Sequence, residues 1–163
     1  MTPEEMLLLE KRKAGLDQFY QELMPVLVDF VGKLGINPAH GVLEHAGQFA
    51  PLLDQALQSM AVAGEQDRAW LLTRMGYFVG EYFVQKYGGC WYVNEIQGSR
   101  YFGRYVVGRF ARLNNSIPML DPFPIAQDYV DAPVPRHLVK TLAEVEAELT
   151  RVSNGSAPKP ASY

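Results

Sequence analysis

The sequence holds a single cysteine, Cys90, so no intramolecular disulfide can staple the fold, and the lone thiol fits a reducing compartment. It also lacks a long hydrophobic run. The apolar stretch Met6–Leu9 is followed at once by Glu10, Lys11, Arg12 and Lys13, too soon for a membrane span or a signal-peptide core. The first residues, Met1-Thr2-Pro3-Glu4-Glu5, are acidic where a signal peptide is basic, and a cytoplasmic protein is expected. Charge of one sign is scarce as well. A formal net charge of −3 cannot steer the whole molecule to nucleic acid or an anionic membrane, so any electrostatic role must be local. No internal repeat, glycine-rich phosphate loop, serine elbow or nucleotide fingerprint is present, and no cofactor is implied.

What is present suits a packed core. The chain is 48% hydrophobic and 20% charged over 163 residues, about one domain's worth and close to globular averages. One globular domain is expected over 1–152, with a helical part at 3–88 and a hairpin with further helices at 89–152. The Ser-, Pro- and Gly-containing stretch 153–163 reads as a disordered tail.

Thr2-Pro3-Glu4-Glu5 is a helix start, with a capping hydroxyl, proline at the first helical position and acids facing the dipole. Leu16, Phe19, Leu23, Leu27, Phe30, Val31 and Leu34 follow at helical spacing. Pro25 is expected to kink or divide this helix, and Gly35 with Asn37-Pro38 ends it. One or two short helices punctuated by Pro51 are expected over 39–63. Over 65–87 the spacing predicts a helix that is apolar nearly all round, with Leu71, Met75, Phe78, Val79 and Tyr82 on its main face. Only Asp67, Arg74, Glu81 and Gln85 form a polar stripe. Gly76 and Gly80 open a third sector to close backbone approach, which suits a central core helix better than an exposed homodimer face.

Gly88-Gly89 stops that helix. Cys90 to Ile96 and Arg100 to Leu113 then read as the strands of a hairpin turning at Gln97-Gly98-Ser99. Asp121-Pro122-Phe123 starts a short helix to about Tyr129, and Pro135 opens a last one with an apolar seam of Leu138, Leu142, Val145 and Leu149. The expected fold is α+β, mostly helical around a central apolar helix, with a small antiparallel sheet of two or three strands.

Chemistry is sparse. His40-Gly41-Val42-Leu43-Glu44-His45 misses the inverted zinc-protease spacing by one residue, and positions five apart on a helix diverge by about 140°; no metal site is expected. Cys90, after two glycines and before Trp91, invites comparison with cysteine hydrolases. It follows a helix C-terminus, however, where a thiolate is disfavoured, and a small buried residue is expected. Glu81 and Glu95 would be an acid/base pair only if they met; Glu81 is expected on the solvent side of its helix and Glu95 on the open face of the hairpin.

The local imbalance lies downstream. No acid occurs between Glu95 and Asp121, while Arg100, Arg104, Arg109 and Arg112 are interleaved with Tyr101, Phe102, Tyr105 and Phe110. Arginine and tyrosine are favoured anchors for protein partners. They also clamp phosphates and stack bases, and a solvated sheet face is the plain alternative. Strand alternation puts Arg100, Arg104 and Arg112 on one side and Arg109 on the other, unless Gly108 marks a bulge.

Gly80-Glu81-Tyr82, Gly88-Gly89-Cys90-Trp91 and Asp121-Pro122-Phe123 together resemble a group of small bacterial domains of unknown function. In these a Tyr-x-Gly-Glu helix runs into a Gly-Gly-x-Trp hairpin and then a Pro-Phe helix start. The resemblance spans about Leu71 to Leu149; here Phe78 supplies the aromatic before Gly80, and Cys90 fills the variable position. It implies a bacterial protein and carries no catalytic role. By analogy of class, bacterial domains of this size include immunity and accessory proteins. A non-enzymatic protein-binding module using the hairpin face, anchored by Arg100, Arg104, Tyr105, Arg109 and Arg112, is therefore the leading expectation. An anion or single-stranded nucleic-acid binder through 100–112, and a small enzyme with a pocket near Glu81, Glu95 and Cys90, are the alternatives.

Overall fold

A computed structural model describes residues 1–115 and 117–155. The chain runs α1 (Pro3–Lys33), a single 3-10 turn (Ala39–Gly41), α2 (Val42–Leu57), α3 (Glu65–Tyr87), β1 (Cys90–Val93), β2 (Tyr105–Gly108), β3 (Met119–Leu120), α4 (Pro122–Asp131) and α5 (Leu138–Ser153). The fold is α+β and mostly helical, with an antiparallel sheet in the order β1-β2-β3.

The helix starts follow capping chemistry. Thr2 Oγ1 accepts the Glu5 N–H at 3.1 Å while Glu5 Oε1 accepts the Thr2 N–H at 3.0 Å, a reciprocal box that satisfies two orphan donors. Asp121 Oδ1 accepts the Phe123 N–H at 3.0 Å ahead of Pro122. Pro25 does not divide α1, which runs unbroken through it. Its position and that of Gln21, whose carbonyl it leaves unbonded, are both exposed, so water can replace the missing donor.

Pro51 also stays inside its helix. The break in α2 falls instead at His45 (φ −132°, ψ 43°), and α3 repairs it. Gln85 Oε1 accepts the Ala46 N–H at 2.7 Å, and its Nε2 donates to the Val42 carbonyl at 2.9 Å. Those two groups would bond to each other in a regular helix, so a side-chain amide is inserted into the ladder where it opens.

α3 runs through the middle, in contact with α1, α2, α4, β1 and β2. Leu71, Met75, Phe78, Val79 and Phe83 are essentially inaccessible, and each such side chain contributes on the order of 1.5–3 kcal/mol by burial. The glycine stripe is filled from within the chain. A Cβ on Gly80 would stand 2.0 Å from Trp91 Cζ2, and one on Gly76 2.4 Å from Phe123 Cδ1. Gly80 thus receives the sheet and Gly76 receives α4. At the end of α3, Gly88 adopts the left-handed conformation (φ 69°), and both its N–H and that of Gly89 reach the Val84 carbonyl. A Cβ on Gly89 would meet the Gly108 carbonyl at 2.6 Å, which is why a second glycine follows the cap.

The second strand is much shorter than the expected Arg100–Leu113. Only Tyr105–Gly108 pairs with β1, in the register Cys90↔Gly108, Trp91↔Val107, Tyr92↔Val106 and Val93↔Tyr105. Residues 94–104 form an ordered loop closed by buried Asn94. Its N–H donates to the Arg104 carbonyl, its carbonyl accepts from Gly103, and its side chain binds the Ile96 N–H and Ser99 Oγ. Gly98 (φ 80°) and Gly103 (φ 75°) turn the chain out of extended geometry. At the other end of the chain, Ser153 belongs to the fold rather than to a tail: it is buried, closes α5, and its Oγ accepts the Asn114 N–H at 2.8 Å. Positions 156–163 of the expected tail lie outside the described residues.

Candidate binding surface

Pairing across β1 and β2 sends Trp91, Val93, Tyr105 and Val107 to one face of the sheet, and α1 packs there. Phe19 is the hub. Its ring stacks on Tyr105 with centroids 4.4 Å apart and meets Trp91 edge-on at 5.2 Å and Tyr77 at 5.8 Å. The Tyr105 hydroxyl donates to the Arg12 carbonyl at 2.8 Å. That bond ties the strand to α1 and leaves the Arg12 side chain beside the ring, its guanidinium carbon 5.9 Å from the centroid.

These contacts frame a cleft of about 500 Å³ lined by Arg12, Phe19, Arg104, Tyr105 and Phe123. It has three aromatic walls and two guanidinium groups, and its size lies within the ordinary range of ligand sites, about 300–1,000 Å³. Arg104 Nε stands 2.9 Å from Asp121 Oδ2, yet no donor is aligned on that oxygen, so the contact is a charge pairing rather than a hydrogen bond. Burial raises the Asp121 carboxyl above the usual aspartate range, against the pull of the Phe123 N–H and Arg104.

The five residues singled out from sequence divide accordingly. Arg104 and Tyr105 share the cleft. Arg100 lies next to it in the loop: it donates to the Tyr101 hydroxyl at 2.6 Å, and its guanidinium sits 4.8 Å from the Tyr101 centroid, with Arg104 5.7 Å from the same ring. Arg109, just past β2 at φ 56°, stacks on Tyr92 at 4.1 Å. Arg112 is structural. Its Nη1 caps α3 by donating to the Gln85 and Lys86 carbonyls at 2.8 and 3.0 Å. The parity expected of one long strand does not apply, because all four arginines sit in loops or turns outside β2. Among the described residues Arg12, Arg100 and Arg109 have no carboxylate partner, although acids outnumber bases in the chain.

Two expectations about acid and thiol chemistry are overturned. Glu81 is not on a solvent face but 2% exposed. Its Oε2 accepts the Trp91 Nε1–H at 2.9 Å and its Oε1 the Tyr20 hydroxyl at 3.3 Å. Burial raises the Glu81 carboxyl above its usual value against these two bonds, and Tyr20 is pushed up to about 12 by burial and by Glu81. Cys90 is exposed rather than buried. It lines a smaller cleft of about 260 Å³ to which neither Glu81 nor Glu95 contributes, and Glu95 instead pairs with Lys13 at 2.6 Å. His40 and His45 are exposed. Among the described residues no group of three His, Cys, Asp or Glu side chains converges to hold a metal ion, and no helix is long and apolar enough to cross a membrane.

Sequence reasoning missed Arg12, which reads as one member of a solvated charge run, and the burial of Glu81. The available signal for Glu81 was the helix itself, too apolar to leave a free face. No protein-family model, curated protein or solved structure matches the chain.

Proposed function

We propose that this chain is a non-enzymatic protein-binding module, immunity- or accessory-like in character, that receives an acidic segment of another protein in the arginine-and-aromatic cleft beside the hairpin. One observation carries this reading: Arg12 and Arg100 stand on tyrosine rings without carboxylate partners, in or beside a cleft with aromatic walls. Stacking restricts a guanidinium before a partner arrives, so less side-chain freedom is lost on binding. Arginine and tyrosine in such a setting are the residue types that dominate binding hot spots. The expected epitope places Asp or Glu next to an aromatic residue, the carboxylate meeting Arg12 or Arg100 and the ring entering between Phe19, Tyr105 and Phe123.

The same chemistry favours one other occupant, a single-stranded nucleic acid, because every base has a face to stack and every phosphate a charge. Titration of the native chain with an alternating Glu-Tyr peptide and with oligothymidylate, each over a salt series, separates the two. Peptide binding that weakens about tenfold, roughly 1.4 kcal/mol, on Arg12→Glu or Arg100→Glu supports the proposal. Tighter binding of the oligonucleotide with a steep log–log salt slope overturns it, as does peptide binding indifferent to both reversals.

A further inference from the structure

The cleft beside Cys90 shares no lining residue with the arginine-and-aromatic cleft, and its only charged lining residue is an acid. Its lining includes Leu16, Asp17 and Tyr20 of α1, Val84 of α3, and Cys90 and Trp91 of β1, with no Lys, Arg or His. Two carboxylates bear on it. Asp17 is part of the wall. Its helical neighbour one turn earlier, Lys13, would ordinarily neutralise it, but that ammonium is held by Glu95 at 2.6 Å. Among the described residues Asp17 is left without an ion pair. Glu81 stands one hydrogen bond behind the lining, bonded to Tyr20 and Trp91, two of the residues that form it. Both donors are neutral, so no cation of the described chain offsets the charge Glu81 carries when ionised.

A cavity of about 260 Å³ falls below the ordinary range for drug-sized ligands, about 300–1,000 Å³, so its occupant is small. Aromatic lining attracts cations, Leu16 and Val84 offer aliphatic surface to a short alkyl stem, and the nearby carboxylates lack a counter-charge. We propose that this cleft binds an alkylammonium group.

Cys90 provides the readout, because it is exposed and lines the cleft. The experiment measures the rate at which neutral N-ethylmaleimide alkylates the native full chain, at constant ionic strength, with n-butylammonium, Nα-acetyl-lysine methylamide or n-butanol added. Saturable slowing by the ammonium compounds and not by butanol is the expected result. Asp17→Asn, at an exposed position, should raise the half-protecting concentration about fivefold, the scale of a partly exposed ion pair, with its urea midpoint confirming the fold. Stronger protection by the lysine amide assigns the cation to a polypeptide side chain, and stronger protection by butylammonium to a free amine; either supports the site. Equal protection by butanol, absence of saturable protection, or an unchanged half-protecting concentration in Asp17→Asn overturns it.

Discussion

Replacing Gly80 by alanine puts a methyl carbon where the Trp91 ring already is, 2.0 Å from Cζ2, 2.4 Å from Cη2 and 2.9 Å from Cε2. The indole has little room to retreat. Phe19 lies 5.2 Å away edge-on and Phe123 6.2 Å away, and Nε1 is bonded to Glu81. Over-packing of this kind costs about 1–3 kcal/mol. If Trp91 moves enough to release Glu81, a buried carboxylate oxygen loses its donor, for about 1–3 kcal/mol more. Alanine in a helix interior returns about 1 kcal/mol over glycine, so the net loss with Glu81 released should be about 1–5 kcal/mol. For a domain near this size each kcal/mol lowers Tm by about 2–4 °C. Gly47→Ala is the control. That residue is also within a helix, but a Cβ there meets nothing within 4 Å, and the variant should gain about 0.5–1 kcal/mol. Urea denaturation followed by circular dichroism measures both. Gly80→Ala as stable as Gly47→Ala would refute the packing of Trp91 into α3.

Other buried groups give equally direct tests. In Glu81 the folded carboxyl is raised above its ordinary 4.5, so its favourable contribution is complete at low pH and is lost as pH rises through the folded value. Glu81→Gln should therefore match or exceed the wild type at pH 7 and lose that advantage below about pH 4.5, as read from paired denaturation curves; a pH-independent deficit contradicts this. Gln85→Leu removes the amide bridging Ala46 and Val42 and should cost about 1–3 kcal/mol, with faster hydrogen exchange at Ala46. Arg136, 4% exposed, donates to the carbonyls of Leu57, Met60 and Val130, joining the C-terminal ends of α2 and α4. Arg136→Met should lower stability by about 2–4 kcal/mol, and a loss under 1 kcal/mol in urea would show those carbonyls to be satisfied by other means.

Much of the framework was legible because local chemistry decides it. The limits of α3, the Gly88-Gly89 stop and the caps at Thr2 and Asp121 follow from residues adjacent in the chain. The long second strand was misread because Tyr, Phe and Val favour extended structure only where a partner strand is available, and the buried side chain of Asn94 closes a loop over that stretch instead. A helical wheel placed Glu81 in the narrow polar stripe but had no knowledge of Tyr20, 61 residues away, or of the indole that covers it. The cleft was half visible. Arg104 and Tyr105 were found through the local absence of acids, whereas Arg12 joins them through a bond between positions 93 residues apart, a distance over which periodicity carries no information.

The receiving surface is tested most directly by panning a random peptide library against the native chain and, in parallel, against the Arg12→Glu/Arg100→Glu double variant. Both side chains are exposed and neither has a carboxylate partner among the described residues, so the variant should keep its fold, with a lower urea midpoint for the lost bond from Arg100 to the Tyr101 hydroxyl. Enrichment of peptides with Asp or Glu adjoining Tyr, Phe or Trp on the native chain, and its loss on the variant, is the expected result. Enrichment of basic peptides, or of the same acidic peptides on both proteins, would contradict it.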